Sequence, residues 1–193
     1  MSNALVRRAA RPRNLARALG TAAAGTGKPR LKHYRLTAVG TGAKCVSRTG
    51  SGFTIESDLP KATGGGDSAP EPVYYLLAAL ASCETATATF VARKLGIPIK
   101  RLHFVDLRAT RDERGALHLP ITEDPALSAR LLSITGRVLV ESDDATLSGE
   151  QLQLLERQVH RRCPVANMVV ASGTDLDLRF EGFTPTDATP RDG

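Results

Sequence analysis

The sequence predicts an α+β domain, and three observations predict it. One long helix is apolar on nearly every side, a second helix carries a single apolar stripe, and several segments alternate polar with apolar residues. With 193 residues, 41% hydrophobic and 24% charged, the chain can bury a substantial core in one globular domain. It reads as a flexible basic leader over residues 1–30, a folded domain over 31–185 and a disordered tail over 186–193.

In chain order, the leader is rich in Ala, Arg and Gly, and Pro12 and Pro29 interrupt any helix. It lacks the apolar stretch of a secretory signal, while its Arg-rich, acid-free composition also suits an organellar transit peptide. Residues 31–58 read as a hairpin, with LKHYRLTAV and GFTIES as strands around the turn-like Arg48-Thr-Gly-Ser-Gly. Lys61 to Pro72, with three glycines and two prolines, is a loop; it lacks the Gly-Lys-Ser/Thr ending of a phosphate-binding P-loop.

Pro72 suits the first turn of a helix, and Val73 to Leu95 runs unbroken to Gly96 and Pro98. Apolar or small almost all round, this helix is expected to be buried on several sides. Strand-like alternation follows at Val105, Leu107 and Ala109, at Ile134, Val138 and Val140, and at Leu176, Leu178 and Phe180, as in antiparallel sheet wet on one face. A second helix opens at Ser148, with Gln151 placed to complete a capping box. Along it Leu152, Leu155, Val159 and Cys163 recur at spacings of 3, 4 and 4, one inward stripe, and Pro164 puts Cys163 at the helix end.

The net charge of +6 invites a nucleic-acid reading, but its placement argues against one. Residues 1–55 hold 11 Lys or Arg and no acid; of 26 basic residues, 15 remain beyond them against 20 acids, a net of −5. The basic character belongs to the leader, and aromatics for base stacking make up only 4%. No run of about 20 consecutive apolar residues suggests a membrane span. Neither nucleic acid nor membrane is an expected partner. Three cysteines do not describe a disulfide-stapled secreted scaffold. A reducing compartment, the cytoplasm, is expected, with an organelle matrix as the alternative if the leader is a transit peptide.

The cysteines carry the candidate chemistry. Cys45 reads as a small packed hydrophobe. Cys83 and Cys163 both point toward the same core, one from each helix. A reactive thiol must ionise, and Cys83 lies eleven residues beyond Pro72, too deep in its helix for the helix dipole, so a side-chain cation is required. Lys44, Arg48, Arg161 and Arg162 are the candidates. His160, one turn before Cys163, reads chiefly as a polar surface residue. Two Cys and one His lack the close ligand pairs of a zinc site. The Tyr74-Tyr75 pair suits an interface or a substrate pocket.

The run Gly64-Gly65-Gly66-Asp67-Ser-Ala-Pro, then Leu76-Leu77-Ala-Ala-Leu-Ala-Ser-Cys83, then His160-Arg-Arg-Cys163-Pro164-Val165 resembles the OsmC/Ohr family of thiol-dependent peroxide reductases, over about residues 31–183. The resemblance implies an α+β OsmC-like fold: antiparallel sheets around two long central helices, in an intertwined homodimer with sites at the subunit interface. It also implies that Cys83 is the peroxidatic thiol and Cys163 the resolving one, with an organic hydroperoxide as substrate, a dithiol as reductant, and neither metal nor other cofactor. One departure stands out. The family glutamate just after the proline that opens the first helix, which positions an arginine, is replaced by Val73 and Tyr74; Glu71 precedes Pro72, and Glu84 points about 100° away from Cys83. An OsmC-like dimer serving as a redox sensor or hydrophobic-ligand binder is the alternative.

Overall fold

The computed structural model describes residues 28–142 and 147–184. Most of the expected leader, through residue 27, and the expected tail from residue 186 lie outside the described residues.

The first unit is a three-stranded antiparallel meander: β1 (Leu36–Thr41), β2 (Lys44–Thr49) and β3 (Thr54–Ser57), in that order across the sheet. The sequence reading had two strands here. It missed β2 because Gly40 and Gly42 look like breakers; Gly42, at φ 59°, instead makes the tight turn that starts a new strand. The turn after β2 is held by Thr49, whose hydroxyl accepts from the Phe53 amide at 3.0 Å.

The expected loop follows, with one 3-10 turn at Lys61–Thr63. Asp58 organises it. Its carboxylate, 2% exposed beneath its own loop, accepts from the amides of Leu59, Gly66 and Ser68 and from the Ser68 hydroxyl at 2.8–3.1 Å. Those bonds, the Ser68 hydroxyl foremost, hold its pKa down to about 2. The loop amides that could have cradled a phosphate therefore already bind an internal anion. Gly65 is required at the tightest point, since a Cβ there would lie 1.9 Å from the Leu59 carbonyl oxygen.

The long helix α1 spans Pro72–Leu95, and Gly96 ends it in the left-handed conformation at φ 67°. Then come β4 (Arg101–Arg111), the short α2 (Glu113–Ala116), β5 (Leu131–Glu141), α3 (Gly149–Arg162), α4 (Pro164–Ala171) and β6 (Asp175–Gly182). The α3 capping box is formed: the Gln151 amide donates to Ser148 Oγ at 3.2 Å and the Ser148 amide to Gln151 Oε1 at 2.9 Å.

The expected α+β class is found. In the second sheet, however, β5 is central, antiparallel to β4 but parallel to β6. The physical reason is the connection: α3 and α4 lie between β5 and β6, and a helical crossover returns the chain in the same direction. The alternation is otherwise as read, with Leu178 and Phe180 buried and Asp175, Asp177 and Arg179 exposed. Helices α1, α3 and α4 meet in the core, α1 also touching β4 while α3 and α4 lie on β6. The fully buried side chains include Leu80, Ile134, Val138, Leu155 and Val159.

Within one chain α1 is not enclosed on all sides as expected. Leu77, Leu80, Glu84, Ala88, Val91 and Ala92 are buried, whereas Ala79, Ser82, Ala86, Thr89 and Phe90 are exposed. Ser82, Thr85 and Thr89 turn their hydroxyls back to carbonyls four residues earlier, at 2.7–2.9 Å, so the uncovered face presents mostly methyl and methylene groups. By length and mean hydropathy, 1.3 over its most apolar window, α1 would also suit a membrane span, contrary to the sequence reading. Its Leu77–Ala92 face nevertheless packs against α3 and α4.

Candidate functional site

Cys163 sits at the joint of two helices, closing α3 and opening α4. Pro164 forces it out of helical geometry, to φ −74° and ψ 111°, and is itself at home in the first turn of α4. Asn167 locks this joint: its amide and its Nδ2 donate to the Cys163 carbonyl at 3.0 and 2.7 Å, and Nδ2 donates also to the His160 carbonyl at 3.1 Å. The Cys163 side chain is fully buried, and its Sγ accepts from the Ala166 amide at 3.4 Å.

The structure brings the two sequence-predicted thiols to one place, with Cys83 packed against the core that holds Cys163 and near enough to act on its thiol. Both are free thiols, Cys83 half-buried against the core. On α1, Cys83 lies between the buried stripe and the exposed small-residue face, so its sulfur touches the interior while its helix flank meets the outside. Burial dominates the Cys163 thiol and pushes its pKa up to about 12, despite the donating Ala166 amide; the neighbouring Cys83 and Glu84 add to the rise. Cys163 is thus a thiol, not a thiolate, at neutral pH.

Cys45 is half-buried on β2, 3.8 Å from Ser47 Oγ. The four candidate cations do not reach the pair: among the described residues none makes a hydrogen bond or ion pair to Cys83. Lys44 Nζ holds Glu56 Oε2 at 2.9 Å, Arg162 bonds back to Gln158, and Arg48 and Arg161 are exposed. Tyr75 donates to the Glu56 carbonyl and ties α1 to β3, while Tyr74 is exposed beside a cleft. That cleft, about 490 Å³, is lined by Val73, Tyr74, Leu77, Leu107 and Leu131 together with the charged Glu71, Arg108 and Arg111.

Sequence reasoning missed Glu84. It does turn away from Cys83, but into the core: it is fully buried, facing Cys163 and His160. The signal was present in the spacing, because Leu77, Leu80, Glu84, Ala88 and Val91 form one stripe with an acid in the place of an aliphatic residue. His160, read as a surface residue, is also largely enclosed, its side chain 16% exposed and its ring edge-on to Phe180. Glu84 Oε2 and His160 Nε2 lie 3.7 Å apart, too far for a hydrogen bond, and none of these atoms has a hydrogen-bond partner. Burial drives both toward neutrality, Glu84 up to about 7 and His160 down to about 4, so they do not form a charged pair at neutral pH.

Fold and site together define an α+β protein with two neighbouring thiols, one half-buried and one buried, where a long central helix crosses the joint of two others. The chain belongs to the OsmC-like protein family, whose model matches residues 64–179. Similar solved structures include an organic hydroperoxide resistance protein OsmC from Legionella pneumophila, at 17% identity and TM-score 0.60, covering 79% of this chain and 99% of that one. An OsmC-like protein from Mycoplasma pneumoniae has 24% identity and TM-score 0.62, with 79% and 99% covered. An organic hydroperoxide resistance protein from Elizabethkingia anophelis has 16% identity and TM-score 0.58, with 81% and 100% covered. At these identities the structural likeness concerns the fold. No curated protein matches the chain.

Proposed function

We propose that this protein is a homodimeric thiol peroxidase of organic hydroperoxides. The observation that carries the reading is that Cys83 packs against the core holding the buried Cys163 and neighbours its thiol. Membership of the OsmC-like family and the likeness to organic hydroperoxide resistance proteins support it. The Cys83 thiolate attacks the terminal oxygen of the O–O bond; the alkoxide leaves as an alcohol and Cys83 becomes a sulfenic acid. Cys163 attacks that sulfur, forming a disulfide and releasing water. A dithiol then reduces the disulfide by exchange, with no metal or flavin taking part. Such a donor is supplied in the cytoplasm, the compartment this reading favours. In the dimer, the exposed small-residue face of α1 is covered by a second copy, whose β1–β3 sheet brings Arg48 or Lys44 to Cys83 as the cation not found beside it among the described residues.

The cleft favours a second reading. A lining of apolar side chains with Arg108, Arg111 and Glu71 suits an amphipathic ligand, and the first turn of α1 holds Val73 and Tyr74 where the family glutamate stands, so the dimer could instead sense oxidation or bind such a ligand with little turnover. One experiment separates the two. With one equivalent of cumene hydroperoxide, wild-type protein loses two thiols and Cys83→Ser consumes no peroxide; with excess peroxide and dithiothreitol, a peroxidase turns over many times. A single stoichiometric oxidation without turnover favours the sensor, and peroxide consumption by Cys83→Ser at the wild-type rate removes Cys83 from the chemistry.

A further inference from the structure

The core where α1 meets α3 and α4 is built mainly of aliphatic side chains, Leu80, Leu155 and Val159 among them. A glutamic acid there is costly unless its oxygens are satisfied, and those of Glu84 are not. Fold stability therefore gives no reason for Glu84, whose place in the stripe a leucine would fill. Its surroundings give a chemical one. Among the described residues no cation helps Cys163 ionise; it is sealed from water, and it must nonetheless lose a proton whenever it attacks Cys83. The polar side chains facing that core are Glu84 and Cys83 from α1, Glu156 and His160 from α3, Cys163 at the α3–α4 joint, and Asp177 from β6 acting on His160. Glu156 already accepts from the Phe180 amide at 3.0 Å. Among the described residues, Glu84 is the acceptor left with no neighbour to bond but the Cys163 thiol itself.

We propose that Glu84 is the general base for Cys163, taking its proton as Cys163 closes onto Cys83. The assignment rests on the peroxidase reading for its biological setting but not for its test. In the peroxide cycle the proton passes from Cys163 Sγ to the Glu84 carboxylate while the S–S bond forms and the S–O bond of the Cys83 sulfenic acid breaks. The departing hydroxide recovers the proton from Glu84 and leaves as water. No further oxidant or reductant enters this step. Transfer is concerted with attack, because a free Cys163 thiolate would lie far uphill. A carboxyl brought by burial to about 7 is partly ionised at neutral pH, so it can both accept the proton and return it.

Closure can be measured without peroxide. In the full chain carrying Cys45→Ser, dithionitrobenzoate caps Cys83, and attack by Cys163 then releases a second thionitrobenzoate. Glu84→Gln, nearly isosteric, is expected to slow this second release at least ~100-fold, the usual scale of general-base catalysis. With peroxide it should accumulate a sulfenic acid trappable by dimedone. The closure rate of the Cys45→Ser parent should rise with pH through about 7, as the base form of Glu84 fills, and Glu84→Gln should lose that rise. Equal release rates in Glu84→Gln and the parent would overturn the base assignment whatever peroxide does. Glu84-dependent closure in a protein inert to peroxide would uphold it and remove the peroxidase reading instead. Thermal melts guard against a folding artefact, since Glu84→Gln should melt no lower than its parent.

Discussion

The two sheets of this molecule are built to different degrees of completion. The β4–β5–β6 sheet with α1, α3 and α4 closes a core in which Leu80, Ile134 and Val138 are wholly shielded. The β1–β2–β3 sheet leaves Val39 71% exposed, Phe53 in its β2–β3 turn is 70% exposed, and every residue of β1 is open to solvent. Isolated small sheets are marginal without something packed on one face. The long helix has the complementary defect, a buried stripe on one side and an uncovered small-residue face on the other. What the contrast teaches is that one chain positions the sulfurs and leaves unpartnered the parts that would enclose them.

The sharpest way to break this comparison is to cut into each region. Leu80→Ala should lower the unfolding free energy by about 2–5 kcal/mol, read from urea melts, at every protein concentration. Phe53→Ala removes an exposed ring, and within one chain such a change is worth less than about 0.5 kcal/mol. If a second copy covers the sheet, its effect appears instead as a melting temperature that falls on dilution. Concentration-independent melts for both variants would leave the first sheet a free-standing appendage.

Next in size is the uncovered face of α1. Ala86→Arg puts a charge at its centre, opposite the buried stripe, where it harms nothing in a monomer and is intolerable in a closed interface. Sedimentation at micromolar concentration should show a dimer for wild type and a monomer for the variant. The same monomer should lose peroxide turnover if the second copy brings the cation to Cys83.

How much of this was legible in the sequence follows the range of the interactions. The bounds of α1, the capping box at Ser148 and the placing of Cys163 at a helix end depend on neighbours within a few residues, and Pro72, Gly96 and Pro164 mark them. That β6 runs parallel to β5 depends on where the crossover leads, which alternation along a strand does not record. β2 was hidden behind Gly40 and Gly42, whose conformational freedom serves a turn as readily as a loop. Glu84 escaped because a helix that looks apolar all round offers no obvious inward face; only the 3-4 spacing of its aliphatic neighbours separates the two sides. Nothing in the sequence chooses among Lys44, Arg48, Arg161 and Arg162, and among the described residues none of the four bonds to Cys83.

A smaller effect probes the connection between the regions. Asp58 stands where the first sheet leads into α1, and its folded pKa of about 2 lies below the ordinary 3.8. The stability it contributes is therefore present above about pH 4 and is lost as pH falls toward 2. Asp58→Asn should flatten that part of the acid-denaturation curve and loosen the Gly64–Ser68 loop, seen as faster amide exchange at Gly66 and Ser68, whose amides bond to it.

The smallest expected change lies at the far end of the site's own scaffold. Ser148 and Gln151 satisfy the first amides of α3, and Ser148→Ala should lower stability by about 1 kcal/mol. Cys163 is at the opposite end of that 14-residue helix, where Asn167 independently holds the His160 and Cys163 carbonyls. Fraying of the first turn should therefore not reach the thiol joint, and thionitrobenzoate release by Cys163 should keep its wild-type rate while the melting temperature falls. A parallel loss of closure rate would mean that α3 moves as one rigid rod and that the sulfurs are positioned by the whole helix, so the Asn167 joint would no longer suffice as the account of how Cys163 is held.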